Sequence, residues 1–175
     1  SSSNFPMPDS SYNNTYNGGV GPDTINGIIF SNGSDIFVAK LSTNGTALLG
    51  ATFMGGSNND GLNLSGTIGD PSGLVYNYGD QFRGEIIVDN DDNCYVTSCT
   101  QSTDFPILNA FQGTFGGGNQ DACVFKLSPN LSTLHWSTYL GGSQDDAGYS
   151  VQIRFNASRN VYVCGGTQST NFPTT

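Results

Sequence analysis

Positive charge is scarce in this chain of 175 residues, in which five Lys and Arg residues stand against 14 Asp and Glu. The resulting formal net charge of −9 would repel a phosphate backbone, and no basic stripe offsets it, so we exclude nucleic acid as a partner. Long apolar runs are also missing, and the sequence therefore predicts no transmembrane segment.

The residues that catalysis commonly uses are equally rare. The single histidine, His135, lies in the strand-like run "LHWSTYL", where we expect a half-buried structural side chain. The sequence has no HExxH, GxSxG or GxxxxGK motif, so metalloprotease, acyl-transfer and phosphoryl-transfer chemistry lack their parts. The adjacent pair Asp145 and Asp146 is typical of turn caps, because two glycosidase carboxylates face each other across a cleft. The sequence thus predicts no enzyme.

Cysteine is limited to four residues, without CxxC or Cys/His spacing, and this argues against zinc. Each of them falls in an apolar, strand-like run. Two interpretations remain open, a free buried thiol and a cross-strand disulfide. The four positions are Cys94, Cys99, Cys123 and Cys164.

Glycine is abundant, with 24 residues, whereas strong helix formers are sparse next to Asn, Ser, Thr and Gly. Hydrophobic residues at 35% and aromatic residues at 11% are enough for a packed core, which distinguishes the chain from a disordered linker. The composition therefore predicts an all-β fold. The glycine runs at the ends of strands, Gly55-Gly56, Gly141-Gly142 and Gly116-Gly117-Gly118, are typical of turns with positive φ.

An internal repeat is the strongest positive signal. Three segments recur: "DIFVAKL" at 35–41 as "DACVFKL" at 121–127, "ATFMGGSNND" at 51–60 as "STYLGGSQDD" at 137–146, and "CYVTSCTQSTDFP" at 94–106 as "VYVCGGTQSTNFP" at 161–173. The first two recur after 86 residues and the third after 67, so the first copy carries a 19-residue insertion at 61–79. A second insertion, of 14 residues, falls within 7–34.

Each repeat contains four short strands separated by turn residues. We predict strands at Gly84–Asn90, Cys94–Thr100, Asp121–Ser128 and Leu134–Leu140, in an antiparallel meander. Both faces of the third strand are apolar, so it should be covered on both sides. Tandem meanders with two apolar faces are what β-propeller blades require, whereas a two-sheet sandwich, the alternative, would leave one face of each strand polar.

The repeat boundaries divide the propeller region into parts. Residues 1–60 are the outer half of one blade with the insertion 7–34, residues 61–79 are the inserted loop, 80–142 a complete blade and 143–175 the inner half of the next. This amounts to about two blades, and a propeller closes with four to eight. We therefore expect the chain to be a fragment of a larger ring, or to pair with other chains.

The stretch 121–173 resembles a bacterial seven-bladed β-propeller repeat family, whose units read approximately D-A-F-V-A-K-L, S-T-Y-L-G-G, a D-D pair, G-N-x-Y-V-T-G and T-D-F-P. The resemblance covers about 35–60 and 82–173. Cys99, Cys123 and the turn "RFNASRN" depart from that pattern. The resemblance implies a secreted or surface-exposed protein, often from Bacteroidetes-type bacteria that use the type 9 secretion route, and no established catalytic residues.

From this we expect a non-enzymatic extracellular or cell-surface interaction and adhesion module that binds a glycan or a protein surface. Two alternatives stay open. The chain could be the scaffold region of a secreted hydrolase, or a cargo or accessory component of an outer-membrane, type 9 secretion machine.

The two insertions are the predicted binding region. Links in a four-stranded meander alternate between rims, so both insertions should emerge on the same rim. They contain exposed aromatic residues beside amides and carboxylates, a combination that suits sugar or protein surfaces. The predicted binding residues are Tyr12, Tyr16, Asp70, Tyr76 and Tyr78. An alternative is that the insertions pack on each other as a lid. On the binding interpretation, deletion of 62–78 should leave the fold intact.

A calcium site is the one cofactor that the sequence suggests. Asp89, Asp91 and Asp92 in "DNDDN" supply several oxygen ligands within five residues. The alternative is a solvated hairpin turn, because the loop lacks the glycine and distal Glu of an EF-hand.

Overall fold

The computed structural model describes residues 4–19, 23–25, 28–66, 70–75, 80–82, 84–154 and 159–174. This part of the chain is all-β, with ten strands, one 3-10 turn at Asp80–Phe82 and no α-helix. The strands are β1 Asp23–Ile25, β2 Ile28–Phe30, β3 Ile36–Leu41, β4 Leu48–Met54, β5 Glu85–Val88, β6 Cys94–Thr100, β7 Asp121–Leu127, β8 Leu134–Leu140, β9 Asp146–Ile153 and β10 Val161–Thr167.

Across the described residues all strand pairs are antiparallel and form four sheets. The central sheet has the order β5-β6-β7-β8, whereas β3-β4 and β9-β10 are separate two-stranded sheets. The hairpin β1-β2 forms a fourth sheet within the first insertion, and the sequence did not predict it.

The central sheet is the meander that the repeat predicts. The strands β6 and β8 have the predicted bounds, while the first is shorter, at Glu85–Val88, and the third ends at Leu127. Cys94 to Thr100 of β6 pair without a break with Leu127 to Asp121 of β7. Both strands lie inside the sheet and are buried along nearly their whole length.

The two-stranded sheets cover opposite faces of the central sheet. On one face Val38 and Met54, from β3 and β4, pack in a cluster with Val96 and Phe125. On the other face Tyr95 packs with residues of β9. The prediction that β7 is covered on both sides is confirmed, because six of its seven residues are buried.

All four cysteines are free thiols. Cys94, Cys99 and Cys123 are buried, as the small-hydrophobe interpretation predicts, and burial raises the pKa of Cys99 to about 12. Cys164 is exposed instead, because β10 is an edge strand with one described neighbour, β9. The disulfide interpretation is therefore wrong in this structure.

The expectation of positive φ is confirmed at Gly117 and Gly118, but it is wrong at the pairs Gly55-Gly56 and Gly141-Gly142. Neither Gly55 nor Gly141 has a positive φ. Each must be glycine because a carboxylate lies where its side chain would be. A Cβ on Gly55 would lie 2.5 Å from Oδ1 of Asp35, and one on Gly141 would lie 2.3 Å from Oδ1 of Asp121. Close approach, and not turn geometry, thus excludes a side chain at these positions.

The expectation that His135 is half-buried is also wrong, because its side chain is exposed on β8.

The link from β9 to β10 spans 154–160, two residues longer than the link 89–93 from β5 to β6. The repeat is therefore shifted in β9, where Val151 and not Ile153 occupies the register position of Ile86.

Among the described residues there is no helix with the length and hydropathy that a membrane span requires.

Candidate functional site

Two edge segments flank the outermost strands and hold exposed aromatic side chains. The backbone N–H of Asn13 donates to Oγ1 of Thr52, and its carbonyl accepts from Phe53 at 3.0 Å. In the next repeat Gln112 makes the same two contacts, with Oγ1 of Thr138 and with the N–H of Tyr139. Asn13 and Gln112 are therefore equivalent positions, each fixed by backbone hydrogen bonds.

The residue before each of these anchors is aromatic. Tyr12 precedes Asn13 and is 37% exposed, and Phe111 precedes Gln112 and is 75% exposed. The exposed aromatic ring is thus a repeated feature of the outer edge. We call Tyr12 and Phe111 the edge aromatics. Partial burial raises the pKa of Tyr12.

Tyr12 lies at the opposite rim from the one predicted for it. Its backbone N–H donates to the carbonyl of Leu131, in the link between β7 and β8. That link follows Leu127, at one end of β7. The inserted segments contact the sheets at the other end of β7, near Asp121.

Tyr16, the second predicted binding residue, has a structural role. Its hydroxyl donates to the carbonyls of Asn32 and Gly33, at 2.9 and 2.8 Å, and its ring packs edge-on against Phe53. These contacts tie the two ends of the first insertion together. A hydroxyl engaged in this way does not face a ligand.

The two insertions meet at one rim, where Ser34 contacts Asp60. The backbone N–H of Asp60 donates to the carbonyl of Ser34 at 2.7 Å, and the hydroxyl of Ser34 donates to the carbonyl of Asp60 at 2.9 Å. Since the first insertion ends at Ser34 and the second begins after Asp60, both leave the sheets side by side.

The second insertion packs against the sheets in its described residues, and this contact is a different one from the packing of the two insertions on each other that the lid alternative predicts. Leu62, Leu74 and Val75 are buried, and Leu74 packs with Cys99 and Ala147. The polar side of the segment is also satisfied. The side-chain amide of Gln120 donates to Oδ1 of Asn63 at 2.8 Å, and its Oε1 accepts from the N–H of Leu64 at 2.7 Å.

Asp70 forms a local turn. Its Oδ1 accepts hydrogen bonds from the N–H and the hydroxyl of Ser72, at 2.8 and 2.6 Å, and these bonds lower its pKa. Tyr76 and Tyr78 lie outside the described residues. The structure therefore does not bring Tyr12, Tyr16 and Asp70 together as one site.

The turn "DNDDN" is organised by one carboxylate. Oδ1 of Asp89 accepts from the backbone N–H groups of Asp91 and Asn93, both at 2.9 Å, and its Oδ2 accepts from the hydroxyl of Tyr95. Burial raises the pKa of Asp89, but these hydrogen bonds outweigh burial and hold the pKa at about 2. Lys126 lies 3.8 Å from the same carboxylate.

The other two acids of this turn have separate partners. Asp91 pairs with Arg159, and Asp92 lies 3.4 Å from Nζ of Lys40. Among the described residues no three metal-ligating side chains are grouped so that they could hold an ion. The contacts of Asp89, Asp91 and Asp92 explain a stable hairpin turn, and a calcium site there stays a prediction from the sequence alone.

Buried aspartate pairs beside the glycine pairs are the feature that sequence reasoning identified only in part. Asp146 caps its turn as predicted, because it accepts from the N–H of Gly142 at 2.7 Å. The sequence did not indicate that Asp121 lies on the other side of Gly141. Burial, together with the smaller effect of the negative charge of Asp146, raises the pKa of Asp121 to about 7.

The first repeat has the same arrangement. Asp35 and Asp60 flank Gly55, and burial raises their pKa values to about 6 and about 7. The recurrence of "DIFVAKL" and "DACVFKL" beside a recurring Gly-Gly pair was the signal that could have revealed these pairs. Phe111 could have been found in the same way, from its position after the repeated "FP".

Searches for similarity returned no matching family model and no matching curated protein for this chain.

Proposed function

We propose that the chain is a non-enzymatic interaction module of an extracellular or cell-surface protein, built from β-propeller blades, and that it binds a glycan or protein surface. Support for the blade arrangement comes from a four-stranded antiparallel meander with a two-stranded sheet packed on each face. In a propeller each blade is sandwiched between its neighbours in this manner.

The observation that carries the binding function is the pair of edge aromatics, Tyr12 and Phe111. An aromatic side chain with three-quarters of its surface exposed contributes little to folding, and an exposed ring is a common contact for sugars and proteins. Equivalent hydrogen bonds to Thr52 and Thr138 hold the two segments in place, so the rings are presented by a rigid edge.

The exposed ring of Phe111 can stack on the apolar face of a sugar, and on this ground we favour a glycan. The neighbouring amides hold the edge segment itself, because that of Asn109 donates to the carbonyl of His135 and that of Gln112 donates to the carbonyl of Thr114 and accepts from the N–H of Gly141. This proposal moves the expected binding surface from the inserted rim to the outer edge.

Affinity electrophoresis of the 175-residue chain in gels that contain mannan, xylan or a β-glucan tests the proposal. We expect retardation by at least one polysaccharide, and a several-fold loss of retardation in F111A and Y12A. The matched control is L49A, because Leu49 is 53% exposed on β4 and belongs to neither edge segment. Retardation that is equal in F111A, Y12A and L49A would overturn the assignment to the edge aromatics.

A further inference from the structure

Among the strand edges left unpaired in the described structure are one edge of β3 and one edge of β10. The strand β3 pairs with β4 on one side, and β10 pairs with β9 on one side. Within the described residues no other strand pairs with either of them. Unpaired strand edges expose backbone N–H and C=O groups that favour pairing with a further strand.

The internal repeat shows that these two edges are complementary. The segment of β3 recurs in β7, and the segment of β10 recurs in β6. In the central sheet β6 and β7 pair directly. A strand with the sequence of β10 can therefore pair with a strand with the sequence of β3. The pair β6-β7 is an example of this within the chain.

The register of β6 with β7 specifies how β10 and β3 would pair. Tyr95 lies opposite Lys126, and Thr97 lies opposite Val124. At the equivalent positions of a β10-β3 pair, Tyr162 should lie opposite Lys40, and Cys164 should lie opposite Val38. The first pair has a favourable contact of its own, since Nζ of Lys126 lies 4.8 Å from the centre of the Tyr95 ring.

Side chains of β3 and β10 are more exposed than their equivalents in β7 and β6, as expected of strands without a partner on one side. Tyr95 is 3% exposed, whereas Tyr162 at the equivalent position is 52% exposed. Leu127 is fully buried, and its equivalent Leu41 is 59% exposed. Surface that is core in the central sheet is thus uncovered at the two open edges.

A groove lies beside each open edge. One, of about 190 Å³, lies between β10 and the β7-β8 half of the central sheet, with Val163, Gly165, Ala122 and Leu140 in its walls. The other, of about 440 Å³, lies between β3 and the β5-β6 half, with Phe37 and Ile86 in its walls. The first groove lies where a further two-stranded sheet would cover β7-β8. The second lies where a further two-stranded sheet would cover β5-β6.

We propose that β10 of one copy pairs with β3 of a second copy, so that β9-β10 and the second copy's β3-β4 complete a four-stranded sheet. One such contact fills both grooves. The β3-β4 sheet of the second copy covers the open half of β7-β8, and β9-β10 of the first copy covers the open half of β5-β6 in the second.

The contact is head-to-tail, because it joins two different edges. It can therefore repeat until a ring closes. Each copy supplies one complete sheet and two halves, so rings of two, three or four copies would contain the four to eight sheets of known propellers. The proposal rests on strand pairing and does not depend on glycan binding by the edge aromatics.

Sedimentation of the 175-residue chain from about 1 to 100 µM, at an ionic strength of about 0.15 M to screen its negative charge, tests association. We expect oligomers that dissociate on dilution. Y162K, which sets a lysine opposite Lys40, and L41K should each raise the dissociation constant by roughly a hundredfold, since a buried charge without a partner is costly. Both side chains are exposed in the single chain, so both variants should keep its circular dichroism spectrum.

Mixing the two variants distinguishes head-to-tail pairing from a symmetric contact. Y162K keeps a functional β3 edge and L41K keeps a functional β10 edge. We therefore expect an equimolar mixture to form a dimer of one chain of each kind and nothing larger. A mixture that stays monomeric while the unmodified chain associates would overturn the proposal.

Cys164 reports the same contact independently, because it is the one exposed cysteine among the four. Its equivalent, Thr97, is fully buried. Alkylation of Cys164 should slow at least tenfold between 1 and 100 µM protein, and should remain fast in Y162K. A chain that stays monomeric at about 100 µM, or associates without protecting Cys164, would contradict the pairing.

Discussion

Ser102 donates a hydrogen bond from its hydroxyl to the carboxylate of Asp60 at 2.8 Å, and Ser169 makes the same contact with Asp146 at 2.8 Å. Asp146 begins β9, whereas Asp60 is followed by the second insertion. The insertion thus begins directly after an anchor that is common to both repeats. A long segment can therefore enter the chain at this point without displacing the anchor.

The buried aspartates make stability depend on pH. Because burial raises the pKa of Asp60 and of Asp121 to about 7, the folded chain retains protons that the unfolded chain releases above about pH 4. The free energy of unfolding should therefore fall by several kcal/mol as pH rises from about 4 to 7, because each unit of pKa shift contributes about 1.4 kcal/mol per group, and should level off above about pH 8. Urea unfolding at several pH values measures this change.

The variant D60N should flatten that dependence, because it removes one of the titrating groups. D9N is the matched control, since Asp9 is exposed and should leave the dependence as it is. A chain whose stability increases across this pH range would refute the assignment of raised pKa values to these aspartates.

Replacing Gly141 by alanine should destabilise the chain by about 2 kcal/mol, because the new Cβ would lie 2.3 Å from Oδ1 of Asp121. Gly113 provides the control, since a Cβ there meets no atom within 4 Å. Thermal unfolding of G141A and G113A compares the two. Equal melting temperatures would show that the carboxylate moves aside without cost.

The second insertion should be part of the folded core. L74A should lower stability by about 2 to 3 kcal/mol, because Leu74 is 4% exposed and packs with Cys99 and Ala147. Its control is L49A, on the exposed side of β4. Denaturant unfolding measures both. This expectation replaces the one drawn from the sequence, that deleting 62–78 leaves the fold intact, and a stable deletion variant would restore the earlier view.

The turn "DNDDN" should depend on one of its three acids. D89A should lower stability by about 2 kcal/mol, because it removes an acceptor of two backbone N–H groups, whereas D91A and D92A remove exposed ion pairs worth less than about 1 kcal/mol each. Melting temperatures with and without calcium complete the test. A rise with calcium that is lost when Asp89, Asp91 and Asp92 are all replaced by Asn would establish the calcium site.

The candidate site was harder to predict than the strands. The recurring segments located β6, β7 and β8 because strand position follows from local pattern and from turn residues at their ends. Tyr12 and Tyr16 were assigned to one surface because both lie in an insertion. The backbone between them runs along β4, so that Tyr12 contacts Leu131 while Tyr16 closes the first insertion at Asn32. Such a path depends on hydrogen bonds to a distant strand, which sequence spacing does not encode.

By itself the sequence determined the all-β class, the repeat and the order of its strands, because these depend on composition, alternation and turn chemistry, which act over a few residues. Only the tertiary structure decided which equivalent residues are buried. Tyr95 and Tyr162 occupy the same place in the repeat, yet one is core and the other is exposed. The difference arises because burial depends on which sheet lies against a strand, and that neighbour is supplied by a distant part of the chain or by another copy of it.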